Sequence, residues 1–284
     1  MNRFAQRGIR LMRALVIAAA SALLIWTIVL MIFEEKFIYF PQKYPQGAYD
    51  QARSIPNMRD CWIKTDDSVK IHAWFAPAES AKATLVISHG NAGNISHRYL
   101  LLRSLQRHGF NALMYDYRGY GRSEGTPNEN GIYKDGLAAY DYAVTLPEAK
   151  PGRVILWGTS LGGAVAIDVA TQRQVAALIL ESTFTSAADV ACVVYPFLPV
   201  QFFMHTKLNS IEKITTLTIP ILVIHGAHDS IVPIGLGRKL YNAANEPKDF
   251  YEILNADHND TFFIGGDEYF ARIDRFVASI THQQ

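Results

Sequence analysis

Five short runs of the chain are predominantly apolar and rich in β-formers: Thr84–Ser88 (TLVIS), Ala112–Tyr115 (ALMY), Val154–Trp157 (VILW), Ala177–Leu180 (ALIL) and Ile221–Ile224 (ILVI). A sixth, FYEIL at 250–254, follows them. Helix-like stretches near 96–108, 132–145, 161–172, 234–244 and 267–280 separate or follow these runs. A strand with no polar face is buried on both sides, and alternation with helices is how a sheet gets covered on both sides. The pattern therefore predicts a mostly parallel central sheet flanked by helices. CWIKTDDSVKIHAWFAP at 61–77 reads as an antiparallel hairpin turning at Asp66, Asp67 and Ser68. No repeat, low-complexity tract or Gly/Pro/Ser-rich linker divides the body, which is read as one domain over 60–284.

Before the body stands a different solvent regime. Ala14–Phe33 is 20 residues without a charge, long enough as a helix to cross roughly 30 Å of hydrocarbon. Its small residues lie mid-run and bulky ones follow, which favours an uncleaved signal anchor over a cleaved signal peptide. Residues 1–13 hold four arginines and no acid, whereas Glu34, Glu35 and Lys36 follow the segment. The positive-inside rule then expects a cytoplasmic N-terminus and an extracytoplasmic body in a single-pass membrane protein. Residues 34–59, with FIYFPQKYPQ at 37–46, are expected to form an interfacial neck.

The formal net charge is +1, and the acidic balance of the body gives no basic surface for phosphates, so nucleic acid is not an expected partner. Cys61 and Cys192 lack metal-ligand spacing; they either pair or stay free. No metal or organic cofactor is expected, and the sequence leaves the oligomeric state open.

The chemistry is concentrated at strand ends. Val154–Trp157 runs into Gly158-Thr159-Ser160-Leu161-Gly162 and then into a helix-like stretch, the strand–turn–helix setting of a G-x-S-x-G nucleophile. A serine needs a base and the base an orienting carboxylate. Asp229 follows one strand and His258 the last, giving the order Ser160, Asp229, His258. Asp257 and Asp260 are rival acids, disfavoured because neighbours of His258 reach its far ring nitrogen poorly. His225 and His228 are expected to shape the acid loop. For the oxyanion, Leu161 supplies one backbone N–H and the loop SHGNAGN at 88–94 the other, from Asn91 or, as an alternative, Ala92. Between 187 and 209 the rhythm breaks, and VACVVYPFLPVQFF at 190–203 is either a lid over the site or an ordinary packed helix. The same segment is a candidate acyl-pocket wall or bilayer contact.

With SHGNAGN, YDYRGYGRSEG (115–125), GTSLGG, ESTFTS (181–186), HGAHDSIVP and DHND in hand, the sequence resembles the α/β-hydrolase superfamily over roughly 60–280. More narrowly it is similar to the membrane-anchored group of Bem46 and α/β-hydrolase domain proteins 13 and 17. The resemblance implies the α/β-hydrolase fold and a serine hydrolase acting on a small-molecule or lipid-like acyl ester or thioester. An amidase or peptidase on the same triad and a non-catalytic, membrane-tethered interaction protein are the alternatives.

Overall fold

A computed structural model describes residues 3–150 and 152–281; the expected segments' outermost ends, 1–2 and 282–284, lie outside the described residues. In chain order the strands are β1 (Phe40–Pro41), β2 (Arg59–Lys64), β3 (Lys70–Ala76), β4 (Thr84–Ser88), β5 (Ala92–Gly93), β6 (Asn111–Tyr115), β7 (Val154–Thr159), β8 (Ala177–Glu181), β9 (Ile221–Gly226) and β10 (Lys248–Ile253). The helices are α1 (Arg3–Ile32), α2 (Glu34–Ile38), α3 (Tyr49–Ala52), α4 (Tyr99–Arg107), α5 (Glu129–Ala143), α6 (Leu161–Gln172), α7 (Ala187–Val194), α8 (Ser210–Ile214), α9 (Ile234–Ala243) and α10 (Thr261–Thr281), with α10 broken at Gly266.

Eight strands form one sheet in the order β10-β9-β8-β7-β4-β6-β3-β2. Neighbours from β10 to β6 are parallel, and the β2–β3 hairpin closes the edge antiparallel. The expected hairpin and every expected strand are present. Each strand sends alternate side chains to opposite faces. Val86, Leu156, Leu178 and Val223 meet α5, α6 and α9 on one face; Ile87, Trp157, Ile179 and Leu222 meet α4 and α10 on the other. The strands read as predominantly apolar runs because both faces are covered.

Strand β4 sits between β6, its successor on one side, and β7 on the other. The chain reverses direction across the sheet there, so the loops after β4 and β7 part and leave a crevice at the strands' carboxyl ends.

Residues Gln6–Ile32 of α1 form a helix of mean hydropathy 2.7 over its best window, long and apolar enough to cross a membrane, and only 11% of that window is buried against the protein. Its end is docked on the body. Leu30 packs with Ala191, Tyr195, Leu198 and Met204. Glu34 accepts the backbone N–H groups of His205 (2.9 Å) and Thr206 (2.6 Å). The 187–209 segment thus forms α7 and a short turn around Val200–Phe202, seated against the end of α1. Cys61 is buried in β2, Cys192 is exposed on α7, and both are free.

The neck is stitched to the body. β1 pairs in parallel with β5 inside the SHGNAGN loop, and Phe40 and Gln42 donate N–H groups to Asn91 O and Gly93 O, each at 3.0 Å.

Candidate active site

Ser160 occupies the turn between β7 and α6 with φ 54° and ψ −117°, a left-handed conformation that costs a side-chain-bearing residue energy and is held by its surroundings. The glycines around it explain how. A Cβ on Gly158 would lie 2.3 Å from Gly162 O, one on Gly162 1.9 Å from Ser88 O, and one on Gly163 2.1 Å from the Thr183 hydroxyl. Strand, helix and the neighbouring strand ends thus touch backbone to backbone. Ser160 N–H donates to Glu181 O at 2.8 Å, fastening the turn to β8. Among the described residues the Ser160 hydroxyl has no hydrogen-bond partner; it faces a cavity of about 460 Å³.

His258, just past β10, lines that cavity too. Its Nδ1 lies 2.8 Å from Asp229 Oδ2, at the end of β9. Asp229 Oδ1 accepts the N–H groups of Ile231 (3.0 Å) and Val232 (2.7 Å). His225, fully buried, brings its Nε2 to 3.2 Å from Asp229 Oδ2 and 2.9 Å from Val232 O. Room for that imidazole comes from Gly237, where a Cβ would lie 2.3 Å from His225 Nδ1. Burial pushes the Asp229 carboxyl up, but the hydrogen bonds from His225, His258 and Val232 outweigh it and hold the group well below the usual carboxylate range.

The rival acids are spent elsewhere. Asp257 accepts from Ser230 and from the His258 backbone, and Asp260 from the Asp257 backbone. His228 is exposed, so of the two loop histidines only His225 braces the acid.

The SHGNAGN loop leans over the serine: a Cβ on Gly90 would lie 3.6 Å from Ser160 Cβ. Asn91 directs its side chain away, donating to Ile38 O at 2.9 Å. The backbone N–H groups of Asn91 and Leu161 have no acceptor among the described residues. His89 Nδ1 lies 2.7 Å from Gly90 O, on the peptide whose N–H belongs to Asn91.

The cavity wall is uneven. Ile87, Leu101, Met114, Phe262 and Phe263 contribute apolar surface, and Gln42, His97 and Arg98 contribute polar groups. None of the described side chains of 187–209 lines it. Glu181 and Arg98 are wall residues to which the sequence reading assigned no role. Glu181 Oε2 accepts from Trp157 and Thr159, each at 3.1 Å, and Oε1 from Thr261 (2.5 Å) and Tyr269 (2.7 Å). Glu181 stands in the ESTFTS run at a strand end, and Arg98 lies four residues past the Gly-rich loop; those placements are the signals the sequence offers. The described residues contain no cluster of three or more His, Cys, Asp or Glu side chains able to hold a metal ion.

Comparison with known proteins adds three kinds of likeness. The family model for serine aminopeptidase, S33, matches residues 79–211. An uncharacterized protein of Mycobacterium tuberculosis, Rv2307c, is 36% identical over 269 residues, covering 93% of this chain and 95% of its own. The alpha/beta hydrolase domain-containing protein WAV2 of Arabidopsis thaliana is 35% identical with 84% and 86% covered. Protein bem46 of Schizosaccharomyces pombe is 30% identical with 86% of each covered. Among solved structures, the Pyrococcus furiosus esterase Pf2001 superposes with a TM-score of 0.70 at 19% identity over 86% of this chain and 98% of its own.

Proposed function

Because the chain belongs to the α/β-hydrolase superfamily, we propose that it is a serine hydrolase that cleaves an acyl ester or thioester through an acyl-enzyme. Ser160 Oγ attacks the carbonyl carbon while His258 Nε2 takes its proton; Asp229 orients the ring and stabilises its charged form. The oxyanion is held by the N–H groups of Leu161 and Asn91. The intermediate collapses as the carbon–leaving-group bond breaks and His258 returns the proton to the leaving group. Water, deprotonated by His258, then releases the acid and restores Ser160.

One observation carries this reading: the strained Ser160 turn opens onto the same cavity as His258, whose other ring nitrogen is 2.8 Å from Asp229. The apolar wall suits an acyl chain. The serine aminopeptidase match over 79–211 favours an amide as the second reading. Fluorophosphonate labelling of the detergent-solubilised chain, with and without Ser160→Ala, tests the nucleophile. Labelling lost only in the variant is expected, and a panel of esters, thioesters and amides then ranks the two readings. Folded wild type that refuses the probe would turn the balance to a tethered, non-catalytic protein.

The body is placed outside the cytosol, with α1 as signal anchor, on the support of the arginines before the span and the acidic flank after it. A C-terminal reporter that is active only in the cytosol stays silent on this reading; activity would reverse the orientation.

A further inference from the structure

Arg98 is a cavity-wall cation held by backbone carbonyls and not by a direct ion pair. Among the described residues no carboxylate lies within ion-pairing distance of its guanidinium, whereas Arg118 is clamped between Asp67 and Asp135. Its Nη1 donates to Asn94 O at 2.9 Å and its Nη2 to Ala92 O at 2.8 Å. Those carbonyls fix the plane of the group without neutralising it. A guanidinium has five N–H donors, and Arg98 lines the cavity, so donors remain for a ligand.

The neighbouring acids do not contact it, and the buried Asp116 attracts it only through space. Asp116 accepts from Ile95 N–H at 2.9 Å and has His89 Nε2 at 3.6 Å. Glu181, the acidic residue on the cavity wall, has both oxygens occupied by the four neutral donors described above. Arg98 also stands beside the reacting serine. One methyl group built on Gly90 would lie 3.6 Å from Ser160 Cβ and 3.8 Å from Arg98 Nη2. His97 lies beside Arg98 against Gly93, and Gln42 and the apolar residues line the same cavity.

We propose that the cavity wall at Arg98 is an anion subsite, and that the preferred substrate is an acyl ester or thioester bearing a carboxylate or phosphate close to the scissile carbonyl; this rests on Ser160 being the nucleophile. In a partly dry cavity a fixed guanidinium discriminates strongly between charged and neutral groups, and its planar fork fits either oxyanion.

The bland role for Arg98 is to clamp residues 92–94, and the test separates the two. Full-length protein in non-ionic detergent is given two matched pairs: mono-para-nitrophenyl glutarate against para-nitrophenyl pentanoate, and lysophosphatidate against the monoacylglycerol of equal chain length. Wild type is expected to favour the anionic member of at least one pair, which also identifies carboxylate or phosphate. Arg98→Met is expected to lower the anionic-to-neutral ratio of kcat/KM about tenfold or more, chiefly through KM. Arg98→Lys, which keeps the charge without the fork, falls between. An unchanged ratio in Arg98→Met, or no anionic preference in wild type, overturns the subsite. Wild type that takes the fluorophosphonate but cleaves none of the four also overturns it while sparing the serine; failure to take the probe removes the hydrolase reading itself.

Discussion

Asp229 keeps its charge because four hydrogen-bond donors, two of them imidazoles, surround a carboxylate that burial alone would neutralise. Its folded pKa lies below the unfolded value of 3.8. The stability it contributes is therefore complete above that value and is lost as pH falls from there through the folded pKa. Unfolding free energies of wild type and Asp229→Asn are expected to differ by a constant amount at neutral pH and the gap to shrink steadily as pH falls below 3.8; a gap that does not change below that value would contradict the assignment. On the proposed mechanism Asp229→Asn also lowers kcat by about three to four orders of magnitude, read by stopped or continuous ester assays. The three triad candidates were legible because each stands at a strand end, where the order of elements does the locating. Arg98 and Glu181 were not, since no local pattern distinguishes a wall residue from any other polar residue. Only the folded loop shows one guanidinium unpaired and one carboxylate fully occupied.

At the scale of single elements, backbone contact decides what α6 tolerates. Gly162→Ala drives a methyl into Ser88 O, where neither strand nor helix can yield, and should cost about 3 kcal/mol or more. Gly235, in α9, has nothing within 4 Å of an added Cβ, and Gly235→Ala should stabilise by about half a kcal/mol. Fluorescence-monitored unfolding of both variants checks the contrast; equal effects would mean that packing at the turn is looser than described. Strand positions were readable almost to the residue because two-sided burial leaves a continuous apolar run. The 187–209 segment was not readable as lid or helix, because aromatic and proline content look alike in either. Its actual seat is the end of α1, with Phe197 and Phe202 exposed beside it at 90% and 77%.

The whole molecule is more continuous than its sequence suggests. A two-residue strand such as Phe40–Pro41 has no periodicity to detect, so the neck read as a connector rather than as sheet. In the fold, Ile38, Phe40 and Gln42 brace the loop that carries Asn91, and Asn94 Nδ2 donates back to Gln42 O (3.0 Å) and Gln46 O (2.8 Å). A chain begun at residue 34 should retain fluorophosphonate labelling, whereas one begun at residue 60 should label at least tenfold more slowly, about 1.4 kcal/mol of lost preorganisation. Equal labelling rates from two folded chains would show that the neck is dispensable. The same stitching bears on proteolytic shedding. With α1 as the proposed anchor, a protease that cut at the exposed Arg53, Ser54, Pro56 or Asn57 would sever the covalent link between that anchor and the large sheet. Strand β1 would stay on the N-terminal stump, joined to the body by hydrogen bonds and by the packing of Leu30, Tyr39 and Tyr49. Once those parted, the soluble fragment would be an impaired enzyme, so cleavage from the membrane would act on this protein as an off-switch.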